Sequence, residues 1–261
     1  MIIDLSGKTA LVCGSTQGIG NAIATQLAAS GATVCLLARN EATLQVALNA
    51  LPAPNQQKHF YTLADFSQPE SLKAVVADIT SKHHIDILIN NTGGPASGPI
   101  EEAKPEQFLM AFQQHLICNQ ILVQGLIPQM KIKQWGRIIN IISTSVKIPL
   151  KNLGVSNTIR GAVASWSKTM ANELGVYGIT VNNILPGATN TERLQTIIMN
   201  NAKRKNISEE IAREEMLHEI PAGRFANPEE PAYAAAFLAS DFAAYINGIN
   251  VPVDGGRTGS L

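Results

Sequence analysis

Gly14, Gly18 and Gly20 close one short apolar run and open a helical one, and at that spacing the backbone itself can do chemistry. A residue without a Cβ turns the chain sharply and lets amide N–H groups approach an anion. A helix starting just beyond presents its free N–H groups and the positive end of its dipole to the same point. The turn Gly14-Ser15-Thr16-Gln17-Gly18-Ile19-Gly20 therefore reads as a phosphate cradle. Gly14 and Gly18 supply the turn, and Gly20 lets the helix lie close to the sheet. A dinucleotide is the expected ligand when a strand precedes such a cradle and a helix and a second strand follow it. Residues 9–13, 19–29 and 33–37 carry those three patterns in order.

The end of the second strand reads Ala38-Arg39-Asn40. An acidic side chain there would bond ribose hydroxyls, whereas an arginine can hold a 2′-phosphate, so Arg39 points to NADP(H) over NAD(H). Asp65 follows the third strand, where it can accept from an adenine amino group or simply stabilise a turn. Asn90-Asn91-Thr92-Gly93-Gly94 follows the fourth strand. Open α/β sheets bind ligands beyond the carboxyl ends of their strands, which makes Asn91 and Gly93 candidates for lining the cofactor cleft; a plain strand-ending turn is the simpler alternative.

These residues need a frame, and the hydrophobic pattern describes one. Strands are expected at 9–13, 33–37, 59–63, 85–89, 136–142, 179–184 and 248–253. Helices fall between them: 41–51 with Leu44, Val46, Ala47 and Leu48 inward, one starting at Ser67 or Ser71, a long one over 106–130 containing His115, one over 156–174, and a last one over 228–240. Such β-α alternation with short connections is the mark of a parallel sheet covered on both faces. The expected fold class is α/β: a Rossmann-type, doubly wound, seven-stranded parallel sheet in one domain over 1–261. Residues 188–220 are charged and helical, and read as a substrate lid or as solvated surface helices.

Composition removes several classes. With 45% hydrophobic residues, 15% charged residues and zero formal net charge over 261 residues, the chain has no basic footprint for nucleic acid. No segment approaches the ~18 consecutive apolar residues of a membrane span, and the first residues lack a signal-peptide pattern, so a cytoplasmic location is expected. Cys13, Cys35 and Cys118 sit inside apolar runs without metal-ligand spacing, which predicts reduced thiols, no disulfide and no metal.

Gly14-x-x-x-Gly18-Ile19-Gly20, Asp65, Asn90-Asn91-Thr92-Gly93, Ser143, Tyr177-Gly178-Ile179-Thr180-Val181-Asn182 and Pro186-Gly187 together resemble the short-chain dehydrogenase/reductase family over essentially the full length. The run from Pro221-Ala222-Gly223-Arg224 through Pro228-Glu229-Glu230 to Asp254-Gly255-Gly256 is similar to the 3-oxoacyl-thioester reductase branch. The resemblance implies an oxidoreductase acting on a small carbonyl or alcohol, with Pro186, Gly187 and Thr189 beside the cofactor. It also implies a homotetramer or homodimer packed through the long middle helices.

The catalytic positions depart from that family. Where its members carry a tyrosine, a lysine and an asparagine, this chain aligns Ser156, Arg160 and His115; of the four usual residues only Ser143 remains. Acid catalysis at a carbonyl oxygen is typically worth ~10²–10⁴ in rate, and an aliphatic hydroxyl is a poor acid. Arg160 can hold a ribose and supply fixed charge but cannot relay a proton. Three substitutes are available: Lys147 if its site is partly buried, His115 if it points into the cleft, and Ser143 acting with a water. The favoured expectation is an NADP(H)-dependent carbonyl reductase with an altered proton donor, Lys147 first among them. The alternatives are a catalytically silent nucleotide-binding protein and a reductase of a polarised C=C bond.

Overall fold

The computed structural model describes residues 2–260. Seven strands form one parallel sheet in the order β3-β2-β1-β4-β5-β6-β7. They are β1 (Thr9–Cys13), β2 (Thr33–Ala38), β3 (Phe60–Leu63), β4 (Ile87–Asn90), β5 (Gly136–Ile141), β6 (Ile179–Pro186) and β7 (Asn250–Val253). The helices are α1 (Gly18–Ala29), α2 (Glu41–Asn49), α3 (Pro69–Lys82), α4 (Pro105–Phe112), α5 (Cys118–Lys133), α6 (Gly154–Leu174), α7 (Glu192–Lys205), α8 (Glu209–His218) and α9 (Glu229–Ala239).

The central strands read as unbroken apolar runs because both faces are covered. Val12, Val34, Ile89 and Ile139 pack with α1 and α9 on one side, whereas Leu11, Leu88, Ile138 and Val181 pack with α3 and α5 on the other. Because β1 pairs with both β2 and β4, the chain reverses direction across the sheet there. That switch point leaves a crevice beyond the strand ends.

The doubly wound parallel fold is the expected one, with local differences. Residues 106–130 do not form one continuous helix. A π-turn over Gln113–Ile117 separates α4 from α5, with the Cys118 N–H bonded back to the Gln113 carbonyl. The third helix starts at neither Ser67 nor Ser71 but at Pro69, whose missing N–H costs nothing at a first helical position. Val46 is 72% exposed rather than inward, because two residues on from Leu44 is about 200° around the helix.

Residues 188–220 contain α7 and α8, which pack on each other around Leu194, Ile198, Ala202 and Ala212 as a small separate core. No helix among the described residues is long and apolar enough to cross a membrane. All three cysteines are buried and free.

Candidate active site

The crevice is a cleft of about 1220 Å3 lined by the glycine turn after β1, the loops beyond β4, β5 and β6, and the start of α7, whose Thr191 packs against Gly18. At one end Gly14 and Gly18 adopt φ of +57° and +54°, values that side chains rarely tolerate. A Cβ on Gly20 would stand 2.1 Å from the Gly14 carbonyl oxygen, so this helix can lie against its turn only as glycine. Asn91 fixes the same turn from β4, its Nδ2 donating to the Cys13 and Gly14 carbonyls at 3.2 and 3.1 Å.

The first turn of α1 carries no acidic residue, and its N-cap Gln17 makes no side-chain cap bond. Its amide groups thus face the cleft uncompensated, which suits an anion such as a diphosphate. Thr16, Gln17, Gly18, Ile19, Arg39, Asp65, Asn91, Gly93, Pro186, Gly187 and Thr189 all line the cleft. Ser15 does not: it is fully buried, and its hydroxyl donates to the Leu37 carbonyl. It anchors the turn to β2 and presents nothing to a ligand.

Arg39 is exposed at the end of β2, beside Asn40, which caps α2 by accepting from Thr43 N. Asp65 accepts from the Ser67 N–H at 2.9 Å, the turn-stabilising role of the two expected. That bond, the Ser67 side chain and, more weakly, Arg39 hold its carboxyl below the usual range.

At the far end of the cleft stand Ser143, Ser156 and Arg160. Ser143 follows β5 and caps the short turn Thr144–Val146, its Oγ accepting from Ser145 N at 3.1 Å and keeping its own hydrogen to donate. Ser156 and Arg160 lie one helical turn apart on α6, each 8% exposed. Arg160 donates through Nη1 to the Ile141 carbonyl at 2.9 Å, while its buried Nε has no partner. Burial, helped by the neighbouring Arg193, pushes its pKa down to about 10, which still leaves it charged at neutral pH.

Two of the three expected proton donors lie outside the cleft lining. Lys147 is exposed and lies outside the cleft lining, not in the partly buried site that an acid there requires. His115 sits in the π-turn, 2% exposed and also outside the lining. Burial and the Arg160 charge outweigh its bond to the Gly93 backbone and push its pKa down to about 2. It is a neutral imidazole across the working range and carries no proton to give as an imidazolium. Ser143 and Ser156 remain as neutral donors, with Arg160 as fixed charge.

Arg193, in the first turn of α7, also lines the cleft and went unnoticed in the sequence. It donates to the Pro95 carbonyl and reaches within 3.3 Å of where a Cβ on Gly94 would stand. A cation next to the positive end of a helix is electrostatically unfavourable, and that was the one available signal.

A family profile described as enoyl-(acyl carrier protein) reductase matches residues 14–258. The chain is 32% identical to the NADPH-dependent reductase BacG of Bacillus subtilis over 259 residues, 98% of this chain and 100% of that one. It is 34% identical to the 3-oxoacyl-[acyl-carrier-protein] reductase FabG of Vibrio cholerae over 257 residues, 97% and 98% of the two chains. Among solved structures it is similar to L-sorbose reductase from Gluconobacter frateurii complexed with NADPH and L-sorbose, with a TM-score of 0.92, 32% identity and 100% of both chains covered.

Proposed function

The chain belongs to the short-chain dehydrogenase/reductase family, and from that premise we propose that it is an NADP(H)-dependent reductase of a carbonyl-bearing small molecule. In this reading the substrate oxygen is stabilised by fixed charge and neutral hydroxyls rather than protonated by a titrating side chain. The observation that carries it is the grouping of Ser143, Ser156 and a buried, charged Arg160 at one end of a cleft whose other end is a glycine-built anion cradle.

The glycine turn and the α1 N-terminus would hold the diphosphate, Arg39 the 2′-phosphate, and Gly93, Pro186, Gly187 and Thr189 the walls of the cofactor cleft. The NADPH-bound and NADPH-dependent relatives support the choice of cofactor. When bound, the reduced dinucleotide supplies a hydride. What this chain contributes is charge at the substrate oxygen. As the carbonyl carbon gains the hydride, the C=O electron pair moves onto oxygen, where the Arg160 charge and the two hydroxyls stabilise it; water completes the alcohol. Residues 188–220 act as the lid over that space.

Reduction of an α,β-unsaturated carbonyl is a second reading, favoured by the presence of Ser156, a poor acid, beside Arg160 in the cleft lining. There the hydride goes to the β-carbon, the electrons come to rest as an enolate and a proton is finally taken up at the α-carbon. An enolate is a weaker base than an alkoxide and demands less of the protein. Exposed Leu109 and Phe112 on α4, bordering an apolar groove with Thr158 and Ile159 of α6, support self-association through this face, as a tetramer or dimer.

The test is NADPH oxidation against matched ketones, β-ketothioesters and enones, beside calorimetric NADPH binding. Turnover that falls at least a hundredfold in Arg160→Met supports the reading. Tight NADPH binding with no turnover across the panel points instead to a silent nucleotide-binding protein.

A further inference from the structure

Arg160 and Arg193 line the same cleft. Neither makes an ion pair with any carboxylate among the described residues. Asp65, Glu192 and Glu229 also line the cleft, yet none of them neutralises either guanidinium. Arg160 instead feels the Arg193 charge, and His115 feels both.

The contrast with Arg137 is informative. That arginine is equally buried, but it is surrounded by the Gly136, Gly178 and Ser240 carbonyls and reaches Asp241. It has a structural solution for its charge. Arg160 has one carbonyl, an unpartnered Nε and a second cation close by. Taking a charge out of water without a counter-charge is expensive, so a fold keeps such a pair open to a cleft only where something negative completes it.

The position of Arg193 adds direction. It rides on the first turn of α7, whose N-terminus is capped by Thr191 and carries Glu192, and it is tied to the Pro95 carbonyl beside Gly94 on the β4 side. The cradle at Gly14–Gly20 has its own uncompensated helix end, and the N-cap of α7, Thr191, packs against it, 3.2 Å from where a Cβ on Gly18 would stand.

We propose that Arg193, with Arg160 beside it, is the seat for an anionic group of the substrate, and that the substrate is therefore an oxo acid, a carbonyl compound carrying a carboxylate. A guanidinium fork matches a carboxylate in two parallel hydrogen bonds, and the match orients the neighbouring carbonyl toward Ser143 and Ser156. This deepens the reductase reading and relies on it for calling the bound anion a substrate.

The experiment is calorimetric titration of the NADP⁺-saturated full chain with 2-, 3- and 4-oxo acids, each beside its own methyl ester. At least one acid is expected to bind tenfold or more tightly than its ester. Arg193→Gln should weaken that acid about tenfold while leaving the ester unchanged, and Arg193→Lys should recover part of the loss. Equal affinities for acids and esters across the panel overturn the proposal. So does an Arg193→Gln variant that loses NADPH affinity by the same factor as acid affinity, since the guanidinium would then be serving a cofactor phosphate. Acid binding that depends on Arg193 without NADPH turnover of any acid, ester, ketone or enone leaves the anion seat standing and removes the reductase reading.

Discussion

Arg160 of α6 donates to the carbonyl of Ile141 at the end of β5, 2.9 Å away, so the cleft holds a positive charge pinned between helix and sheet. The partner that would make such a charge useful for proton transfer, a phenol one helical turn earlier, is here the Ser156 hydroxyl. Supplying that phenol should therefore change the chemistry. Ser156→Tyr combined with Arg160→Lys is expected to raise kcat on a simple ketone by ~10–10³ and to introduce a pH-dependent limb absent from the parent. Steady-state kcat over pH 6–10 reads both effects, and an unchanged rate with an unchanged profile would count against the missing-acid account.

The glycine turn predicts an asymmetry between two alanine substitutions. Gly20→Ala forces a methyl into the Gly14 carbonyl, so NADPH affinity and thermal stability should both fall. Gly161→Ala, on α6, meets nothing within 4 Å and should stabilise by ~0.5–1 kcal/mol through its helix propensity. Thermal unfolding with and without NADPH separates the two.

Arg39 is exposed at the tip of β2 and no acidic residue follows it in the Ala38-Arg39-Asn40 stretch. Arg39→Ala should weaken NADPH by roughly tenfold, the loss of about one charge-assisted contact, and leave NADH within about twofold. Fluorescence titration with both coenzymes measures this. Equal losses would show that the guanidinium does not contact the 2′-phosphate.

The frame was legible from the sequence because parallel strands buried on both faces leave long apolar runs, and because a turn built on Gly14, Gly18 and Gly20 has few other uses. Individual side-chain directions were less legible. Ser15 lies inside the glycine motif yet points into the core, and Val46 faces water, since both depend on rotation about an element rather than on composition. Lys147 and His115 had suitable chemistry by type, but exposure of one and deep burial of the other are tertiary properties. Arg193 was hidden because a cation in a charged helical segment looks like solvated surface until its neighbours are known.

His115 carries a stability signature. Its folded pKa, depressed to about 2, lies far below the ordinary value of 6.5, so between those values the unfolded chain binds a proton that the folded chain does not. Stability from this site is full above pH ~6.5 and declines as pH falls toward 2, by on the order of 2 kcal/mol between pH 7 and pH 5. His115→Gln should flatten that part of the curve in urea unfolding at the two pH values. A parent whose stability does not drop on acidification relative to the variant would show that the imidazole is not held neutral.

The role given to Arg160 is tested most directly by the pH dependence of single-turnover NADPH oxidation, between pH 6 and 9, on the best substrate of the panel. Fixed charge and neutral hydroxyls predict a rate that varies less than about threefold across the range, is the same in Lys147→Met, and falls by ~10²–10³ in Arg160→Met. A limb of tenfold or more that disappears in Lys147→Met, or an Arg160→Met variant that reacts at the parent rate, would contradict it.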